Sequence, residues 1–179
     1  RITGGEPLLM NDTFKVLEYI QEHWRENPNL SLAINTNLSV PRQLIDKLIT
    51  ICKDLTDNNK VRELIIFTSV EAAKEQAEYT RFGLDYDQLW VNIHDILEQL
   101  PKVVVNIMAT FNALSVFSYG DLIEKVFEYK KKFHNDIRYW EGALLLDTSY
   151  LRYPSFLAVN ILEPEHKELI LESAKKALY

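Results

Sequence analysis

Short apolar runs that recur between longer amphipathic stretches constrain this chain more than any other feature. Leu64-Ile65-Ile66-Phe67, Val103 to Met108 and Ala143-Leu144-Leu145-Leu146 are apolar at nearly every position, as strands buried on both faces of a parallel sheet must be. Leu30, Leu32 and Ile34 alternate with Ser31 and Ala33 and read as a further short strand ending at Asn35-Thr36-Asn37. Between these runs the apolar residues fall at helical spacing. Phe14, Leu17, Ile20 and Trp24 form one such stripe, stopped by Asn27-Pro28 and capped in the reading by Asn11 or Asp12. Ser39, with Pro41 in the first turn, opens a second helix carrying Leu44 to Cys52. A third runs from Tyr86 to Leu100, presents Leu89, Ile93, Ile96, Leu97 and Leu100, and ends at Pro101. Leu122, Ile123, Val126, Phe127 and Phe133 mark a fourth, and Pro164 begins a last one with Leu169, Ile170, Ala174 and Leu178.

Five strand-to-helix units result, the first with its strand cut short. Repeated units of this size require an α/β fold, a parallel sheet joined by right-handed crossovers, either as a barrel or as an open doubly wound sheet. The longest polar stretch, Thr68 to Asp85, is long for a loop. It follows a strand, and loops after strands form the working face of such folds.

Composition narrows the function classes. The 179 residues are 47% hydrophobic and 26% charged, enough for one domain with a sizeable core. A net charge of −6 argues against a broad nucleic-acid-binding face. The cluster Lys130-Lys131-Lys132 reads as the solvated end of a helix, where cations meet the negative pole of the dipole. No long apolar run suggests a membrane span, and no signal peptide is recognisable. Cys52 is the sole cysteine and falls on an apolar stripe with Leu44, Ile45, Leu48 and Ile49. It is expected to be a small core residue, unable to form an internal disulfide or to hold an iron–sulfur cluster, as suits a reducing cytoplasm. His23, His94, His134 and His166 lie in predicted helices or at their ends, none paired at metal-ligand spacing, and no metal ligand or catalytic residue is assigned. Trp24, Trp90 and Trp140 are expected to pack between helices and sheet.

The chain opens on Arg1-Ile2-Thr3-Gly4-Gly5-Glu6-Pro7-Leu8-Leu9. Adjacent glycines remove two Cβ atoms, permit unusual φ values and let a ligand lie directly on backbone carbonyls. An ammonium group needs such acceptors. Glu6 either fixes the loop by accepting backbone N–H groups or adds a negative partner for an amine, and Pro7 stiffens the exit. The same four residues also read as a tight turn before a helix.

This stretch resembles the strand-end signature of the radical S-adenosylmethionine superfamily, in which Gly-Gly-Glu-Pro receives the methionyl amino group of the cofactor. Thr36-Asn37 stands where that family commonly places a Thr-Asn pair, although Leu38 replaces the glycine that often follows. Phe67-Thr68-Ser69 and Tyr79-Thr80-Arg81-Phe82-Gly83 are similar in type and separation to the family's serine and arginine segments, with Val70-Glu71 in place of an acidic-glycine pair. The resemblance implies a partial TIM-type (β/α)6 barrel with parallel strands and the first strand-helix unit missing. It implies that 1–179 are a single core-domain fragment, truncated at the N-terminus, with 147–179 starting a C-terminal extension of the twitch or SPASM type.

The cofactors implied are S-adenosylmethionine and a [4Fe–4S] cluster, whose three-cysteine loop would lie upstream of Arg1, since no C-x-x-x-C-x-x-C occurs here. Gly4, Gly5 and Glu6 would hold the amine, Thr36 and Asn37 would complete that rim, and Ser69 would address the ribose or methionyl carboxylate. Arg81 would pair with the carboxylate, though alone it reads equally as a surface arginine. Asn112, with Asn106, would lie near the adenine, though an asparagine after a strand is usually a turn former. The intact enzyme would cleave S-adenosylmethionine to a 5′-deoxyadenosyl radical and abstract hydrogen from a peptide or small metabolite, with flavodoxin or ferredoxin as electron donor. The fragment alone would not turn over. Two other readings stay open: a non-catalytic barrel that binds a partner, and an unrelated α/β enzyme with a phosphate at Gly4-Gly5, which Glu6 and Asp12 disfavour.

Overall fold

Four parallel strands lie side by side in chain order in the computed structural model, which describes residues 1–137 and 142–176. They are β1 (Ser31–Asn35), β2 (Glu63–Ser69), β3 (Val104–Phe111) and β4 (Leu144–Tyr150). Ile2 adds a parallel bridge to Ile34, donating to the Ala33 carbonyl at 2.7 Å and accepting from the Asn35 N–H at 2.9 Å. The expected cut-short first strand is therefore present as one paired residue at the β1 edge. Helices α1 (Asn11–His23), α2 (Arg42–Asp57), α4 (Tyr86–Gln99) and α5 (Tyr119–Lys132) separate or follow the strands, and α6 (Pro164–Lys176) comes last.

The strand register divides the sheet into two faces. Leu32 and Ile34, Leu64 and Ile66, and Val105 and Ile107 occupy matched rows, and all six are sealed in one cluster with Leu17, Ile45, Leu48, Leu89, Ile93 and Leu122 of the helices. Each such side chain contributes about 1.5–3 kcal/mol by leaving water. Residues of opposite parity, among them Asn35, Ile65, Phe67, Ser69, Asn106 and Met108, are only half-buried. The helices thus gather on one face, and the other stays open among the described residues.

Several local expectations change. Neither Asn11 nor Asp12 caps α1; Met10 takes that position without a side-chain bond, because Asn11 is already the first helical residue. Glu6 instead caps the 3-10 turn Pro7–Leu9 that leads in. Ser39 does not cap α2, which begins after Pro41. The stretch from Thr68 to Asp85 is not all loop, since it contains the seven-residue helix α3 (Lys74–Thr80). The segment from Asp147 onward, expected to start a C-terminal extension, first continues β4 to Tyr150, then forms 3-10 turns at Ser155–Leu157 and Val159–Ile161. The positions of Trp140 and Leu178 lie outside the described residues. Lys130, Lys131 and Lys132 do stand in the last turn of α5. No helix of the described residues is long and apolar enough to cross a membrane.

Candidate functional site

At the carboxyl ends of β1 and β2 a cleft of about 350 Å³ is lined by Thr3, Gly4, Gly5, Glu6, Asn35, Thr36, Asn37, Phe67, Ser69, Arg81 and Met108. Ligands of parallel α/β folds bind at this end of the strands, where loops converge and strand-end groups point outward. Seven of the residues singled out from sequence meet here: Gly4, Gly5, Glu6, Thr36, Asn37, Ser69 and Arg81.

Gly4 has φ +107° and Gly5 φ +41°. These left-handed values, which L residues rarely adopt, explain the paired glycines. Crowding does not, because a Cβ built on either residue would meet nothing within 4 Å. The Gly4 and Gly5 carbonyl oxygens accept no hydrogen bond from the described residues. Both residues line the cleft.

Glu6 joins two loops. Its Oε1 accepts from the Leu8 N–H at 3.1 Å and from the Thr36 hydroxyl at 2.7 Å, while Oε2 accepts from the Asn37 N–H at 2.7 Å. Both oxygens are committed within the protein, so Glu6 fixes the glycine loop against the Asn35-Thr36-Asn37 turn. An anion at the start of the following turn would meet that carboxylate, which already serves the Leu8 N–H. Thr36 completes the turn by accepting the Leu38 N–H at 3.1 Å, and Asn37 Oδ1 accepts the Ser39 N–H at 2.9 Å.

Arg81 stands just past α3, and one edge of its guanidinium is already filled. Nε donates to Glu71 Oε2 at 2.7 Å and Nη2 to Glu71 Oε1 at 2.6 Å. The outer edge, Nη1 with the second Nη2 hydrogen, makes no bond among the described residues. A planar fork of this kind can still grip a second carboxylate end-on while its charge is balanced from the side. Ser69 ends β2 half-buried in the cleft wall.

Asn112 is not brought to the cleft. Its Nδ2 donates to the Thr110 carbonyl at 2.8 Å, and its Oδ1 accepts from the Leu114 and Ser115 N–H groups at 2.9 and 3.2 Å. All its polar atoms serve the turn after β3, which is the ordinary work of an asparagine there. Asn106 does not line the cleft either; it sits on the open face beside Phe67 and Leu145, with a buried and unpartnered Oδ1.

Sequence reasoning passed over Thr3, Asn35, Phe67 and Met108 in the lining and Glu71 behind it. Strand parity locates three of these, since Asn35, Phe67 and Met108 each adjoin a residue of the sealed face. Arg1 covers the Phe67 ring at 4.6 Å from its centroid and donates to Asn35 Oδ1 at 2.9 Å. Cys52 is fully buried, its thiol pushed up to about 12 by loss of solvent. It cannot ligate a cluster from that position, and the described residues contain no second cysteine. One group of His94, Asp95 and Glu98 on α4 has metal-ligand types within reach, but none of the three lines the cleft and Arg42 already binds Asp95.

Comparison of the chain with models of protein families, with curated proteins and with solved structures returns no match, so the functional reading rests on the geometry of the cleft.

Proposed function

We propose that this chain is part of a radical S-adenosylmethionine enzyme and that the cleft holds the methionyl end of S-adenosylmethionine. The observation that carries the reading is convergence: Gly4-Gly5-Glu6, Thr36-Asn37, Ser69 and Arg81 come from four separate segments and line one cleft. The free Gly4 and Gly5 carbonyls suit the cofactor's ammonium, and the outer edge of Arg81 suits its carboxylate. Ser69 adds a hydroxyl-bearing residue to the same cleft. The monotonic strand order, with helices on one face, favours a partial (β/α) barrel over a doubly wound sheet, whose strand order reverses at a switch point.

The residues present do not fit the [4Fe–4S] cluster, since the single cysteine is sealed in the core. On this reading the cluster ligands lie on a segment outside these residues. Such a cluster and S-adenosylmethionine would together supply radical chemistry, hydrogen abstraction from a peptide or small metabolite. The protein here orients the cofactor and shields one side of it. A flavodoxin or ferredoxin is the proposed electron source.

The test is equilibrium binding of S-adenosylmethionine to the full-length, anaerobically reconstituted protein and to its Gly5→Trp variant. Tight binding by the wild type and loss in the variant support the reading. Equal binding by the two overturns it. A full-length sequence without a three-cysteine loop would instead indicate a barrel that binds a partner without radical chemistry.

A further inference from the structure

We infer that Asn92, a residue of α4 outside the cleft lining that hydrogen-bonds the Leu38 carbonyl, positions the cofactor loop; the inference rests on the reading of the cleft proposed above. Leu38 is fully buried and has φ +56°, a conformation that a branched L side chain rarely adopts. It is the residue at which the Thr36-Asn37 turn swings back toward α2. Two hydrogen bonds hold it there: its N–H donates to Thr36 Oγ1 at 3.1 Å, and its carbonyl accepts from Asn92 Nδ2 at 2.7 Å.

Asn92 is itself completely buried and interrupts the apolar stripe of Leu89, Ile93 and Ile96 on α4. A leucine there would serve the core better, and a buried amide is tolerated only where it is satisfied. Gln88 Nε2 donates to Asn92 Oδ1 at 3.0 Å and so fixes which end of the amide faces Leu38. The connection then runs onward without a gap. Thr36 Oγ1, which receives the Leu38 N–H, donates to Glu6 Oε1 at 2.7 Å, and Glu6 holds Asn37 and Leu8. Asn92 thus compensates for the missing glycine at position 38 and sets the height at which the glycine loop meets the ligand.

The experiment uses the full-length reconstituted protein and four variants: Asn92→Ala, Leu38→Gly, the double variant and Gln88→Ala. Asn92→Ala is expected to weaken S-adenosylmethionine binding about tenfold, the loss typical of one buried hydrogen bond. Amide exchange at Asn37 should speed up in parallel. In the double variant glycine adopts the left-handed turn unaided, so binding and Asn37 protection return toward wild type, while the melting temperature falls below that of Asn92→Ala because the Leu38 side chain is gone. A residue that matters only for stability gives the opposite pattern, with the double variant worst by both measures, and that result overturns the inference. Gln88→Ala removes little core volume but leaves the buried Asn92 Oδ1 without its donor, so it is expected to weaken binding about threefold and to lower the melting temperature less than Asn92→Ala does; unchanged binding there overturns the inference even if Asn92→Ala does not fold. Failure of the wild type to bind S-adenosylmethionine overturns the reading of the cleft instead.

Discussion

Arg81 and Glu71 clasp across α3, with Nε to Oε2 at 2.7 Å and Nη2 to Oε1 at 2.6 Å. Glu71 is 7% exposed and precedes the helix, while Arg81 follows it directly, so the pair ties the two ends of a short element together. Arg81 also lines the cleft, and the fork leaves its outer guanidinium edge unbonded among the described residues. Removing Arg81 leaves a nearly buried carboxylate without its partner, and Arg81→Ala should cost about 1–3 kcal/mol in thermal unfolding. Removing both partners should cost less than the sum of the single changes, a coupling readable from a double-mutant cycle. Arg81→Lys keeps the charge but cannot offer two edges. It should retain most stability and lose about tenfold in S-adenosylmethionine affinity by titration calorimetry.

Glu6→Gln tests the bridge between the glycine loop and the Thr36-Asn37 turn. The carboxylate accepts three hydrogen bonds, one from the Asn37 N–H on Oε2. A glutamine must place its amide NH2 where one of those oxygens stands, and there it opposes a donor. Hydrogen exchange should show faster amides at Leu8 and Asn37, with a stability loss of about 1–2 kcal/mol. Unchanged protection at both amides would mean that the loop stands without the bridge.

What was legible in the sequence follows from where side chains are sealed. β2 and β3 announce themselves because Leu64, Ile66, Val105 and Ile107 are buried and their neighbours are apolar as well. The second half of β4 does not, since Asp147 to Tyr150 are exposed and carry no apolar run, although their backbone pairs with Met108 to Phe111. Helix α3 is illegible because seven residues form no apolar stripe and only Ala77 is buried. The cleft residues Gly4, Glu6, Thr36 and Ser69 could be named from local pattern. Their partners could not: the Glu71 clasp and the Asn92 bond to Leu38 span 10 and 54 residues and depend on how helices stack. Asn92 left one trace, a polar residue on the apolar face of its helix.

Asp54 gives a pH-dependent test of the α1–α2 contact. Its carboxylate accepts from Lys60 Nζ at 2.8 Å, Gln21 Nε2 at 2.7 Å and Asn58 Nδ2 at 2.7 Å. The Lys60 bond foremost holds the carboxyl below its usual range, against the opposing effect of partial burial. A carboxyl lowered on folding adds stability above its unfolded value of about 4 and loses it as pH falls through the folded value. Asp54→Asn should therefore be less stable than wild type at pH 7, by about 1 kcal/mol for a pair that stays partly in solvent. The gap should narrow below about pH 4 and be nearly closed by about pH 2. Urea titrations across that range check the sign, and a gap that widens on acidification would contradict it.

Cys52 turns core integrity into a chemical readout. The thiol is fully buried on α2 and pushed up to about 12 by desolvation, so almost none is thiolate at neutral pH and no reagent reaches it in the native fold. Labelling by a disulfide reagent should be negligible in buffer and reach the chain's one cysteine on unfolding in denaturant. Between those limits the rate follows the population of opened molecules when opening and closing are fast. The Asn92→Ala, Arg81→Ala and Glu6→Gln variants should then rank by labelling rate as they rank by stability. A variant that labels fast while melting like wild type would reveal local opening of α2 rather than global unfolding, and among these three Asn92→Ala is the one whose lost bond to Leu38 lies at the entrance to that helix.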